Sequence, residues 1–235
     1  MATRVQQVSN TSSDVTSVTV TISAATAGNL LVAFAGNRGT PFATWATPAG
    51  WSVAIASFAN SGTTASPELA VFYKVAAGGE TSVVLSDASF GTGNMIGLVD
   101  EWSGLTSTPL DATATTDSGA ALSVSASSGT TGTTAQADEL ALGVFLPRSV
   151  QSSASFTNSF VQDGFVTAST NATFPVSLIT ASKTLVAAAT VESTCTWDVS
   201  ARNIAAMVTF KATTAPALLW TQHPRLVQPM FRGTY

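Results

Sequence analysis

The sequence predicts an all-β fold: an antiparallel β-sandwich of jelly-roll-like topology, built from two tandem repeats and followed by an extended C-terminal arm. Three observations predict it. Short apolar runs, either alternating with period two or continuous, are separated by stretches of Gly, Ser, Thr, Asn and Pro. No segment sustains a 3.6-residue apolar period. The strand signals of the second half match those of the first, in order and at a near-constant separation.

Val18, Val20 and Ile22 alternate with Thr19 and Thr21, the pattern of a half-buried strand. Residues 30–35 form a continuous apolar run suited to a strand covered on both faces. Residues 51–58 alternate loosely after the Thr47, Pro48, Ala49, Gly50 turn. Residues 69–76 and 81–85 flank Gly78 and Gly79 and read as a hairpin. Residues 95–102 are a further apolar strand. The alanine run at 187–189 is surrounded by β-branched Thr184, Val186, Thr190 and Val191 and reads as strand.

The repeat is carried by named pairs. Lys74 matches Lys183 and Asn94 matches Asn203, each 109 residues further on, and Leu31 matches Leu140 and Leu69 matches Leu178 at the same separation. Trp51 falls on Phe160, aromatic on aromatic. The strand at 18–22 matches 122–126 after a short gap. The organisation predicted is a first sandwich repeat over 1–112, a second over 113–212, and an arm over 213–235. The polar stretch 111–137 permits either two separate sandwiches or one merged double-sheeted body. Sandwich and jelly-roll topologies are the usual way for many short strands to hide their edges.

Composition narrows the function classes. Of 235 residues 45% are hydrophobic and only 9% charged, against roughly 25% charged in an average soluble domain. The polar surface must therefore be largely Ser and Thr, a neutral surface common in large assemblies and outside cells. The nine basic residues are scattered singly and the net charge is −4. No basic cluster is available to release counterions from phosphates, which argues against nucleic acid as a partner. One cysteine, Cys195, excludes an internal disulfide framework. The start lacks the apolar core of a signal peptide, and no apolar run approaches the roughly 20 residues needed to span a bilayer, so no membrane role is expected.

The last segment differs in kind. All thirteen acidic residues precede residue 213, whereas Arg225 and Arg232 follow it. Pro216, Pro224 and Pro229 reject a helix or a central strand. Leu218, Leu219, Trp220, His223, Met230, Phe231 and Tyr235, with the two arginines, give the segment the anchors of a docking arm. The competing reading is that it folds back and caps an edge of its own sandwich.

Convergent chemistry is sparse. His223 is the only histidine and lies in the arm, so a Ser-His-Asp triad would have to recruit it. One histidine and one cysteine cannot build the usual zinc sites, and no cofactor motif occurs. Cys195 reads as a buried, unreactive thiol. Asp100 with Glu101 and Asp138 with Glu139 are neighbours on strands and point to opposite faces, so neither pair converges. An enzyme would need carboxylates such as Asp87 or Asp163 brought together from a distance. Trp45, Trp51, Trp102, Trp197 and Trp220 could form a sugar-stacking platform, but they read as core or edge-packing aromatics instead.

The ordered segments 28–34, 47–52, 69–75 and 97–112, the last including Asp100, Glu101, Trp102, Gly104 and Pro109, resemble a β-sandwich repeat of tailed-bacteriophage virion proteins. Residues 220–235 resemble the tails of structural proteins from phages of actinobacteria. The resemblance covers most of 17–112 and, more weakly, 122–212. It implies a minor tail or capsid decoration protein, assembled in the host cytoplasm and released in the virion by lysis. The implied partners are other virion proteins and further copies of the chain. No catalytic residue comes with the resemblance. The alternative is a carbohydrate-binding module for host cell-surface glycans, which requires exposed aromatics along a groove. The second repeat lacks the Thr47 to Trp51 turn sequence, so a ligand site built on that turn is expected once only.

Overall fold

The computed structural model describes residues 1–41, 44–62 and 65–213. These form an antiparallel all-β sandwich with no helix among the described residues. Its strands are β1 (Thr3–Ser13), β2 (Ser17–Thr21), β3 (Leu30–Thr40), β4 (Ser52–Ala59), β5 (Pro67–Val75), β6 (Ser82–Ser86), β7 (Thr92–Ser103), β8 (Leu105–Asp117), β9 (Ser123–Ser127), β10 (Leu140–Pro147), β11 (Ala154–Phe156), β12 (Val161–Ala168), β13 (Val176–Thr184), β14 (Thr194–Ala201) and β15 (Asn203–Ala212). One five-stranded sheet has the order β1-β7-β3-β5-β4 and a second the order β12-β13-β10-β15-β8. Small sheets β2-β6 and β11-β14-β9 complete the body.

Burial explains the layering. The continuous apolar run in β3 alternates between two cores. Leu30, Val32 and Phe34 join Leu140, Leu142, Val144, Ile96, Leu98, Ile204 and Val208 in a core between the five-stranded sheets. Leu31, Ala33 and Ala35 face the opposite way and pack under Val18, Val20, Val83 and Leu85 of β2 and β6. In the second sheet, Phe145, Ile179 and Ala205 pack outward against Ala126, Cys195 and Trp197 of β9 and β14. Both central sheets are thus covered on both faces, and the body is four β-layers deep. At Gly97 a Cβ would stand 2.6 Å from Val20 Cγ2, so only glycine lets β2 approach that closely.

The two five-stranded sheets correspond strand for strand. Replacing β1, β7, β3, β5 and β4 by β8, β15, β10, β13 and β12 turns the first sheet order into the second. Both β4 and β12 carry a β-bulge at the same place, between Val53 and Ile55 and between Gln162 and Gly164. Contacts across the core are reciprocal, as in an isologous pair. Asn171, after β12, donates from Nδ2 to Asp14 Oδ1 at 2.8 Å, just beyond β1. Asn60, after β4, donates from Nδ2 to Asp117 at the end of β8. Arg38 from β3 extends the first clasp by donating to Pro175 O at 2.9 Å. Burial, with Arg148 nearby, lowers the Arg38 pKa to about 10.

Several expectations change on this frame. β5 and β6 do not form a hairpin: β5 pairs with β3 and β4, and β6 with β2. Gly78 (φ 101°) and Gly79 (φ 85°) carry the chain from one layer to the next. The alanine run 187–189 is not strand but part of the connection before β14, with Val186 exposed. The constant separation slips by one residue in the central strands: Leu140 faces the inner core like Leu30, not outward like Leu31. Residue 112, placed at the end of the first repeat, lies inside β8. The core joins both halves in one body.

Because that core is shared, damage on one side should be felt on the other. Phe34→Ala is expected to lower stability by about 3–5 kcal/mol, in a single urea transition. Hydrogen exchange should accelerate in β10 and β15 as much as in β3. Unchanged protection of β10 and β15 would show that the halves unfold independently.

Candidate functional site

The expected docking residues Leu218, Leu219, Trp220, His223, Arg225, Met230, Phe231, Arg232 and Tyr235 lie outside the described residues. The structure does fix where that segment departs. Thr213 donates from its backbone N to Gly104 O at 2.9 Å and from Oγ1 to the same oxygen at 3.1 Å. Gly104, in the tight β7–β8 turn (φ 80°), is so close to the chain start that a Cβ would lie 2.5 Å from Met1 O. Met1 and Thr213 therefore sit at one corner of the body.

The outer faces are short and neutral. Beneath β2 and β6 lie the buried valines and Leu85; Ser17, Thr19, Thr21, Ser82 and Ser86 point the other way. In β9 and β14, Ala126, Cys195 and Trp197 point inward, leaving Ser123, Ser125, Thr194 and Thr196 outside, with Asp198 as the carboxylate. Burial pushes the Cys195 thiol up to about 12, which leaves it protonated and unreactive.

Carboxyl groups do meet, but inside the protein. Asn37 Nδ2 donates to Glu68 Oε2 and to Asp87 Oδ2, each at 3.2 Å, and Ser57 Oγ donates to Glu68 Oε1. Burial lifts Glu68 to about 7, with the negative charge of nearby Asp87 adding to the rise, and burial raises Asp87 as well. Across the seam between the halves, Arg4 pairs with Asp163 at 2.5 Å, and Gln7 Nε2 donates to Asp100 Oδ1 at 2.7 Å. Burial, with Asp163 nearby, raises Asp100 to about 7. Its strand neighbour Glu101 points outward instead and accepts from Gln6, Asn29 and the Thr26 amide. Glu101 is buried too, under the outer layer, and those bonds outweigh its burial and hold it below the usual carboxylate range. Spacing along the sequence could not reveal either carboxyl pair, because each joins distant strands. Asp87 and Asp100 are fully buried and Glu68 is 4% exposed, so neither pair offers a substrate a reachable acid and base.

The aromatics behave as packing groups. Trp45, Trp102 and Trp197 are buried and Trp51 is half-buried against the outer core. No aromatic among the described residues is exposed. A sugar-stacking platform on a sheet face is therefore not offered by these residues. Hollows of about 350 and 320 Å³ follow the seam where edge strands β4 and β8 meet. A cavity of about 380 Å³ opens beside Lys183 in the second half. No group of three or more His, Cys, Asp or Glu side chains among the described residues could hold a metal ion.

No family model, curated protein or solved structure matches this chain.

The Asp100 cluster makes stability depend on pH in a definite direction. Arg4 and Gln7 from β1, Trp102 from β7 and Asp163 from β12 face this acid. Between the ordinary aspartate value and about 7 the unfolded chain releases the proton and the folded chain keeps it. Stability from this group is thus full at acid pH and falls as pH rises through 7. Asp100→Asn should flatten the profile and, at pH 8, exceed the parent by on the order of 2 kcal/mol. Urea melts at pH 4 to 8 test it; a variant that keeps the parent's slope would refute the assignment.

Proposed function

We propose that the protein is a structural component of a tailed-phage virion, a minor tail or capsid decoration protein. It acts by subunit docking and surface display, with other virion proteins and further copies of itself as partners. The observation that carries this reading is the single corner from which residues 214–235 depart. That corner lies at the β7–β8 turn, beside the start of the chain. A segment with Leu218, Leu219, Trp220, Met230, Phe231 and Tyr235 leaving a closed sandwich at one point has the chemistry of an anchor. The sparsely charged outer faces, with Ser, Thr and exposed Val84 and Val199 and Asp198 as a lone carboxylate, support the same reading, because they place little charge in the way of a neighbour. Internal placement of the carboxyl pairs fits work done by contact rather than by reaction.

Two measurements test the proposal. Proteomic analysis and imaging of purified particles should place the chain in the virion, cross-linked through residues 214–235 to a neighbouring subunit. A chain ending at Thr213 should melt like the full-length protein yet fail to incorporate. Normal incorporation of the shortened chain would overturn the anchoring role, and absence from particles would overturn the virion assignment.

A further inference from the structure

The correspondence between the halves makes each a control for the other, and at one place they differ in chemistry. In the first half a tight turn bonds Trp51 N to Pro48 O at 3.0 Å, with Gly50 left-handed at φ 78°. The second half keeps the turn, although not its sequence: Phe160 N bonds to Thr157 O at 3.3 Å, and Ser159 takes the left-handed place at φ 60°. The strand ends also agree. Ala76 N bonds to Asn29 O and Leu185 N to Glu139 O, both at 2.8 Å. Ala25 N bonds to Glu80 O at 2.9 Å and Thr134 N to Ala189 O at 3.0 Å. Lys183 therefore occupies the place of Lys74, Phe160 that of Trp51 and Ala189 that of Glu80.

The consequences are electrostatic and steric. Lys74 Nζ pairs with Glu80 Oε1 at 2.8 Å. Lys183 makes no ion pair among the described residues. Its Nζ donates to Asn158 O at 2.9 Å and lies 6.0 Å from the centre of the Phe160 ring. An ammonium has three donors, so two remain to be directed elsewhere. A hollow of about 350 Å³ also lies beside Lys74, but it runs toward β8 and is not lined by Trp51 or Glu80, whereas the cavity of about 380 Å³ beside Lys183 is lined by their counterparts Phe160 and Ala189. Its lining is apolar at Phe160, Leu185 and Val191 and polar at Lys183, Thr130 and Thr190. Size and mixed lining are those of a small-ligand site. Ser159 holds a backbone conformation that favours glycine, a strain of the kind kept at binding sites.

We propose that this cavity binds a carboxylated sugar unit of hexuronate size, whose carboxylate takes on Lys183 the place that Glu80 takes on Lys74. Thr130 and Thr190, both exposed at the cavity, bond its hydroxyls, and the buried Phe160, Leu185 and Val191 form the apolar wall behind it. Glu192, also at the cavity, accepts from Ser127 Oγ at 2.8 Å. Its negative charge favours a singly charged carboxylate over a doubly charged phosphate. The inference rests on the internal comparison and stands apart from the virion reading.

The test is an NMR titration of the ¹⁵N-labelled full chain with glucuronate, glucose, acetate and inorganic phosphate in parallel. Glucuronate should shift the amides of Phe160, Lys183 and Thr190 saturably and bind about tenfold or more tightly than the other three. Lys183→Met should remove that advantage. Ala189→Glu should rebuild the internal ion pair, abolish binding and leave a folded spectrum, which separates loss of the site from loss of the fold. Unmoved amides, equal binding by Lys183→Met, or unchanged binding by Ala189→Glu would each overturn the site. Acetate or phosphate matching glucuronate would overturn the sugar class.

Discussion

Each central sheet is apolar on both of its faces, and that constraint generates the rest of the architecture. In β3 every residue from Leu30 to Ala35 is buried, alternately toward the other sheet and toward β2 and β6. A strand of this kind cannot line a two-layer sandwich with one wet face. It needs a covering layer on each side, and the small sheets β2-β6 and β11-β14-β9 supply the outer two. The inner core then has to come from the second half of the chain. Neither five-stranded sheet could be left alone without exposing a large apolar face to water.

With the apolar residues committed to four core clusters, the few charges are used to align the layers. Arg38 and Asn94 reach from the first sheet into residues 171–175, and Asn60 reaches the end of β8, so the halves are clasped at both ends. These contacts cross a desolvated seam, where an unmet polar group costs about 1–3 kcal/mol. The same dryness raises the pKa values of buried acids. Asp100 and Glu68 sit beside a second carboxyl group and are pushed up to about 7 by burial, so each carries less charge at neutral pH than an ordinary carboxylate.

Local pattern revealed strands better than it revealed their partners. Period-two alternation marked β2, and continuous apolar runs marked β3, β5 and β7. Partner choice depended on layer, which no local pattern encodes, so Gly78 and Gly79 looked like a hairpin turn and proved to be a step between sheets. The one-residue slip between Leu31 and Leu140 was invisible for a related reason. When both faces of a strand are apolar, Leu30 and Leu31 are chemically alike, and sequence matching cannot tell inner from outer. β1 gave almost no apolar signal, because its side chains serve polar partners: Gln6 reaches Glu101, Gln7 reaches Asp100 and Arg4 reaches Asp163. The carboxyl pairs were hidden because Glu68 and Asp87, and Asp100 and Asp163, meet only through the fold.

The neutral outer faces follow from the same economy and suit the proposed docking role on entropic grounds. Ordering a lysine, arginine or glutamate at an interface sacrifices up to about 2 kcal/mol of rotamer freedom per side chain, and its charge must also be desolvated or matched. Ser17, Thr19, Thr21, Ser123, Ser125, Thr194 and Thr196 have little rotamer freedom to lose and no charge to match. A rigid body that presents such faces can be packed against many neighbours with small penalty per contact. Tight binding then depends on a few anchors, and specificity on places where the two halves have diverged. Lys183, left without the carboxylate that Lys74 has, is the charged position at which that divergence changes the chemistry.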